Sequence, residues 1–471
     1  MTDNDLFTYL SPQQRAQIGR TARSHTPRSS HGHFDVDAPT RPNPLDLLEL
    51  QGQSRVSSLV PIRYGRMLTS PFAFYRGSAL IMASDLARTP VSGLQVQACG
   101  DAHLSNFGVF ASPERKLVFD INDFDETHPG PWEWDVKRLL TSAEIAGQNN
   151  GFTELERQEI VLAGAQEYRF AMTEFSQMRQ LDIWYSRLDV DSILKNLKKR
   201  LRNGDVRPDL LNVNKAMSRT SLQALRKFTE IINGQRRFIH APPLVVPIRA
   251  LKHEDLSLDF DDAQGIQNAI NEYAQTLSHD RRHLLEQFTF IDLARKVVGV
   301  GSVGTRAWMA LFEGRDQADP LFLQIKEAQK SVLEDFTAPN PHTNAGERVV
   351  AGQRLMQSAS DIFLGWIRLE RKDGHSRDYY IRQLRDWKGS VTVDVMNPTE
   401  LKLYVRTCAW TLAKAHARSG DSIAIAAYLG QGRTFDQAMV AFARAYAEQN
   451  LNDFQMLKNA VDSGRIVAEF A

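Results

Sequence analysis

Two short stretches carry the residue types that chemistry needs. Gly100-Asp101-Ala102-His103-Leu104-Ser105-Asn106 sets an aspartate and an asparagine five positions apart in a polar loop. Leu117-Val118-Phe119-Asp120-Ile121-Asn122-Asp123 then ends an apolar run in carboxylates, with Asp125 and Glu126 close behind. Phosphoryl transfer requires a carboxylate within hydrogen-bond reach of the attacking hydroxyl, and oxygen ligands that hold Mg2+ against phosphate oxygens. The two stretches together suit such a site. The competing reading of the first is a β-turn whose Asp and Asn bond to their own backbone. That of the second is a solvated turn. Four acids between Asp120 and Glu126 repel one another unless a cation offsets them, which favours a cation site.

A third stretch lies about two hundred residues further on: Gly299-Val300-Gly301-Ser302-Val303-Gly304. A dinucleotide fold would follow these glycines with a helix and an acidic residue about 20 positions on. The segment Thr305 to Phe312 reads instead as a strand. Strand, glycine turn and strand make a lid whose backbone amides close over phosphates, or else a plain β-hairpin. Lys326 follows the apolar run Leu321-Phe322-Leu323-Gln324-Ile325. A buried ammonium without a partner is costly, so Lys326 either meets phosphate and carboxylate or lies on an edge strand facing water. Glu347, opening the next expected helix, is the candidate partner. Glu334 is the alternative, and Glu327 should face the opposite side of its strand. Asp135, in Pro129-Gly130-Pro131-Trp132-Glu133-Trp134-Asp135, suits either a buried brace for the loop backbone or an ordinary carboxylate at a helix N-terminus. His103 suits a phosphate or a structural hydrogen bond, and Arg76 a phosphate or a surface ion pair.

The elements that must position these residues follow from patterning. Ser11 and Pro12 start a helix running to Arg20, and residues 21–44, rich in Ser, His, Pro and Arg, read as an extended arm. The segment Ser70 to Ala87 reads as a strand or turn leading into a helix. Short strands are expected over Leu94–Ala98, Phe107–Phe110 and Lys116–Asp123. A helical pattern then runs to about residue 285. Strands resume around the glycines, Lys326 and Asp378–Trp387, with one helix over Asn344–Trp366, and helices return from Pro398.

The chain has 471 residues with Lys+Arg 57 against Asp+Glu 56, a net charge of +1, so no nucleic acid or anionic membrane is indicated. Its two cysteines, Cys99 and Cys408, exclude a disulfide framework and a cysteine metal knuckle, and a reducing cytoplasm fits. The N-terminus lacks a basic start before an apolar run, so no signal peptide is expected. No apolar stretch is long enough to span a bilayer.

The motifs GDAHLSNFG, FDINDFDET, PGPWEWDVKRL, GVGSVGTR, LQIKEA and YYIRQLRD resemble those of a widespread bacterial family of unknown function, over nearly the whole chain. They also resemble aminoglycoside phosphotransferase-like, that is protein-kinase-like, kinases. There a His-Gly-Asp-x-x-x-x-Asn loop precedes a strand ending in an Ile-Asp-Phe-type metal ligand, with a further aspartate supporting the loop. This resemblance implies Asp101 as base, Asn106 and Asp123 (with Asp120 its competitor) as Mg2+ ligands, and Asp135 as brace. Gly299, Gly301, Ser302, Gly304, Lys326 and His103 would hold ATP. Cys99 stands where the kinases usually have His. The glycines and lysine follow the loop here and precede it in ordinary kinases, which implies circular permutation. The stretch LAKAHARSGD, ending at Asp421, resembles the helix that normally leads into the loop.

The expected architecture is therefore α+β: a circularly permuted, two-lobed kinase-like fold with a small antiparallel β lobe and a large helical lobe. Residues 1–93 form an arm and helical extension, and 94–287 the catalytic-loop part of the helical lobe. Residues 288–392 form the β lobe, and 393–471 complete the helical lobe. The expected function is transfer of the γ-phosphoryl group of Mg·ATP to a small-molecule or protein hydroxyl. Rivals are a metal-dependent phosphoesterase, a non-catalytic nucleotide-binding pseudokinase and a nucleotidyl transferase on the same fold.

Overall fold

The computed structural model describes residues 10–35, 38–195, 207, 213–251, 263–297, 299, 301, 303–370, 376–384 and 387–470. The fold is mixed α+β, a helical region beside small antiparallel sheets. Its helices start where the chain supplies caps. Thr153 with Glu156, and Asn397 with Glu400, form capping boxes at the heads of Glu154–Phe175 and Pro398–Ser419. These two helices pack on each other and on Trp132–Asn149, and Glu154–Phe175 also packs on Thr434–Asp462. The helix Trp132–Asn149 is buried along nearly its whole length, with Trp132 stacked on Tyr168 at 5.5 Å.

The N-terminal arm departs from expectation. Its helix continues to His25, a 3-10 turn covers Arg28–Gly32, and His31 is buried with Nε2 2.5 Å from the Tyr428 hydroxyl. A buried histidine and a turn packed on Thr434–Asp462 tie down a segment whose composition reads as extended. Likewise Ser70 to Ala87 holds two short helices, Pro71–Gly77 and Ala79–Leu86, broken at Ser78. Among the described residues no helix is long and apolar enough to cross a membrane.

One sheet has six antiparallel strands. In spatial order they are Gly365–Glu370, Ser376–Gln383, Pro320–Ala328, Ala307–Glu313, Thr289–Lys296 and Val245–Pro247. Register sets Lys326 opposite Ala307 on one side and Tyr380 on the other. Both faces of its centre are covered. Trp308, Ala310, Phe312 and Leu323 pack toward the helix Ala263–Gln275, and Met309, Leu311 and Phe322 toward Ser221–Phe228. Two-sided burial explains why Ala307-Trp308-Met309-Ala310-Leu311-Phe312 is continuously apolar.

The helical pattern expected to reach residue 285 is interrupted. Thr229–Ile232 and Gln235–Phe238 form a hairpin around Asn233-Gly234, both at positive φ, and Val245–Pro247 joins the sheet. Residues 221–285 that are described thus pack with the β sheet, not with the helical region. A smaller sheet orders Gly389–Ser390, Phe107–Ala111, Leu117–Ile121 and Leu188–Asp189, and Gln95–Ala98 pairs with His128–Pro131.

Candidate functional site

The loop after Gln95–Ala98 is set by backbone bonds that start with Asp135. Its carboxylate accepts from the amides of Cys99 (2.6 Å) and Gly100 (2.9 Å) and lies 3.1 Å from His416 Nε2, whose Nδ1 meets the Tyr168 hydroxyl at 2.8 Å. Gly100 has φ +79, and a Cβ there would lie 2.3 Å from the Glu126 carbonyl, so only glycine fits. The chain then turns. The His103 amide donates to the Asp101 carbonyl at 2.8 Å, and Asn106 Nδ2 donates to the same oxygen at 2.6 Å. Asp101 Oδ1 lies 2.5 Å from the Arg138 guanidinium, and Oδ2 lies 3.7 Å from His103 Nε2. Burial lowers the His103 pKa to about 4, which keeps the ring neutral.

The acidic stretch divides into two roles. Asp120, a candidate metal ligand by sequence, is fully buried and saturated. It accepts from Lys414 Nζ (2.5 Å), from the Ser358 amide and hydroxyl (3.0 and 2.8 Å) and from the Ile121 amide (2.9 Å). Asp120 is therefore a structural anion: its strand turns that carboxylate into the core. Asp123 and Asp125 follow the end of the strand and face Lys326. Lys326 Nζ is 3.7 Å from Asp123 Oδ1 and donates to Asp125, whose other oxygen accepts from the Tyr380 hydroxyl at 2.8 Å. Burial alone would lower the Lys326 pKa, but Asp123 and Asp125 outweigh it and raise the pKa above the usual lysine range. Burial likewise works against the Asp123 carboxylate, and Lys326, Arg382 and Lys388 reverse it, holding its pKa well below the usual range.

Glu347, the expected partner of Lys326, does not reach it. It lies 3.4 Å from His342 in the first turn of Ala345–Met356. The next residue, Arg348, faces inward and donates to the carbonyls of Thr127, Asp125 and Gln329. The helix thus sends a cation toward the acidic turn. Glu334 approaches Arg348 at 3.9 Å, and Glu327 pairs with Arg306 at 3.2 Å, so neither alternative serves Lys326.

The glycine turn joins the paired strands Thr289–Lys296 and Ala307–Glu313. Gly299 and Gly304 take positive φ of 67 and 89, and Ser302 lies outside the described residues. Arg66 donates to the Gly299 carbonyl at 2.6 Å, and Arg55 to the carbonyls of Gly301 (2.8 Å) and Val303 (2.5 Å). Sequence reasoning missed both arginines, because isolated cations in helical segments carry no spacing signal.

All of this converges on one cavity of about 440 Å3. Asp101, His103, Asn106 and Asp123, Gly299 and Gly301 of the glycine turn, and Arg55 and Arg76 all line it. Lys326, although outside the lining, is bonded to the turn that carries Asp123. Among the described residues no group of three or more His, Cys, Asp or Glu is arranged to hold a metal. Mg2+ needs less, commonly one or two protein oxygens plus phosphates and waters. Asn106 spends its NH2 on the loop, which leaves Oδ1 as its one possible ligand atom, and the Asp123 side chain is 34% exposed, so each has an oxygen that such an ion could use.

Glu126 also lines the cavity, and burial raises its carboxyl pKa to about 7 although the Val332 amide donates to it at 2.8 Å. The folded state then holds a proton that the unfolded chain releases near pH 4.5. Stability should fall as pH rises from about 4.5 to 7. In Mg2+-free buffer, Glu126→Gln is expected to flatten that part of the urea-midpoint profile; an unaltered slope would refute the assignment.

No curated protein and no solved structure matches this chain. The family model described as "Uncharacterized protein conserved in bacteria (DUF2252)" matches residues 55–460, a span that takes in the loop, the acidic turn, the glycine turn and the arginines that hold it, and the chain belongs to that family.

Proposed function

We propose that this protein is a Mg2+- and ATP-dependent phosphotransferase on a circularly permuted, two-lobed kinase-like scaffold. The observation that carries the reading is the shared cavity: Asp101, Asn106 and Asp123 meet Gly299 and Gly301 from a stretch about two hundred residues away. Three further features support it. The lysine sits on the third strand of an antiparallel run whose first two are joined by the glycine turn, the arrangement kinases use over phosphates. Asp135 holds the loop backbone as a brace would. The helix Pro398–Ser419 ends beside the strand that enters the loop, where the Gln97 amide donates to Ser419 Oγ at 3.2 Å. A permuted chain would be cut at that junction, since joining these ends restores the usual order.

The chemistry is displacement at phosphorus. The acceptor hydroxyl oxygen attacks the γ-phosphorus, the bond to the β,γ-bridging oxygen breaks, ADP leaves, and the hydroxyl proton passes to Asp101 and on to solvent. Asp101, fixed by Arg138 and by the loop, orients the hydroxyl. Gly299 and Gly301 present backbone to the phosphates, and Lys326 sets the position of Asp123. Mg2+, held by Asn106 and Asp123, would neutralise charge on the phosphate oxygens.

The test is incubation with Mg2+ and γ-labelled ATP, with and without cell extract, reading ADP, labelled acceptor and self-labelling. ADP formed in step with label transfer is expected. Pyrophosphate release would identify nucleotidyl transfer. Hydrolysis of model phosphate esters without nucleotide would identify a phosphoesterase, and ATP binding without turnover a pseudokinase.

A further inference from the structure

The arginines around the cavity are mostly committed. Arg138 pairs with Asp101, Arg348 caps three carbonyls, and Arg55 holds the glycine turn. Arg76 differs. It lies in the last turn of Pro71–Gly77, a helix anchored by buried Phe72, Phe74 and Tyr75, so its backbone is fixed. Its side chain lines the cavity beside Asp101, Asn106 and Asp123. Among the described residues it forms no ion pair, and its buried Nε has no hydrogen-bond partner. Asp101, Asp394 and Asp123 favour its charge but do not offset its burial, which lowers its pKa. A desolvated guanidinium with an unused donor is costly unless something in the cavity accepts from it. Its planar fork of donors matches phosphate oxygens better than any other side chain does.

We infer that Arg76 is a direct ligand of the phosphate chain in this cavity, contributed by the helical segment that precedes the loop. The inference rests on the phosphotransferase reading for the identity of the ligand, though the anion site itself does not depend on a nucleotide. Arg76 shares the cavity lining with Asp101, Asn106 and Asp123, so a phosphate bound there meets both the arginine and the proposed Mg2+ ligands. Phosphate bound in that position offsets the charge that Arg76 leaves unpaired. The segment therefore supplies recognition as well as the brace made by Arg55 and Arg66.

The experiment is calorimetric titration of the full chain and of Arg76→Gln and Arg76→Lys with inorganic tripolyphosphate, Mg·ATP and Mg·ADP. Arg76→Gln should weaken tripolyphosphate and Mg·ATP at least tenfold. Its melting temperature without ligand should match or exceed that of the parent, because a partly buried charge with an unpartnered Nε has gone. Arg76→Lys, a point charge without the fork, should recover part of the affinity yet stay at least threefold weaker. Equal tripolyphosphate binding by the parent and Arg76→Gln overturns the inference, as does absence of binding by the parent. Should Arg76→Gln fail to fold, parent-like affinity in Arg76→Lys overturns it instead. Tripolyphosphate binding that depends on Arg76, with neither nucleotide bound, would sink the nucleotide reading and leave the anion site standing.

Discussion

Asp101→Asn is expected to slow phosphoryl transfer by about 10²–10⁴-fold while leaving the affinity for Mg·ATP essentially unchanged. Under the proposed function the two quantities separate, because Asp101 would face the acceptor hydroxyl while the glycine turn, Asn106, Asp123 and Arg76 would hold the nucleotide. Asparagine is the informative substitution. The Asp101 carboxylate lies 2.5 Å from a buried Arg138, and alanine would strand that guanidinium at a cost of about 3–5 kcal/mol. Asparagine removes the base and the counter-charge but keeps an acceptor oxygen for Arg138, so it disturbs the guanidinium less than alanine does. Labelled-ATP turnover and calorimetry on the same preparation provide the check. Equal loss of turnover and binding would mean that Asp101 is part of the nucleotide site and not the group that orients the acceptor.

What was legible in the sequence was whatever depends on neighbours along the chain. The Asp101-to-Asn106 loop, its glycine and the strand that follows are local, so residue spacing alone places them. The brace from Asp135 was legible as one of two readings for the same reason: the helix Trp132–Asn149 begins just after the strand that pairs with the one entering the loop. The partner of Lys326 was not legible. On a helix, one position turns a side chain by about 100°, so the difference between Glu347 and Arg348 facing inward is a rotation that tertiary packing decides. The hairpin at Thr229–Phe238 was missed although it carried a signal. Asn233-Gly234 between short apolar and polar runs favours a tight hairpin turn, and both residues take the positive φ that such a turn demands. The apolar spacing of flanking helices masked it. Arg55 and Arg66 had no pattern to betray them, because their roles exist only once the glycine turn has folded back onto their segment.

Asp120→Ala is expected to destabilise the protein by about 3–5 kcal/mol, roughly a third of the stability of an ordinary domain, with no change in Mg2+ requirement for whatever folded protein remains. The reason is Lys414. Its ammonium is buried beside Asp120 at 2.5 Å, burial lowers its pKa, and the favourable charge that opposes this comes from Asp120. Without the carboxylate, the lysine must be buried unpaired or deprotonated, and the Ser358 amide loses its acceptor as well. Asp123→Asn should behave in the opposite way. That side chain is partly exposed at the cavity wall, so the fold should tolerate the change while the Mg2+ concentration for half-maximal turnover rises. A double substitution, Asp120→Leu with Lys414→Met, should recover most of the lost stability, because an apolar pair of similar volume removes both desolvated charges together. Urea midpoints for all three variants, with Mg2+ titrations of turnover, separate the two aspartates. An Asp120→Ala protein with parent-like stability and a raised Mg2+ requirement would exchange their roles: the saturated carboxylate would be the metal ligand, and Lys326 would be pairing with Asp123 only to hold the turn.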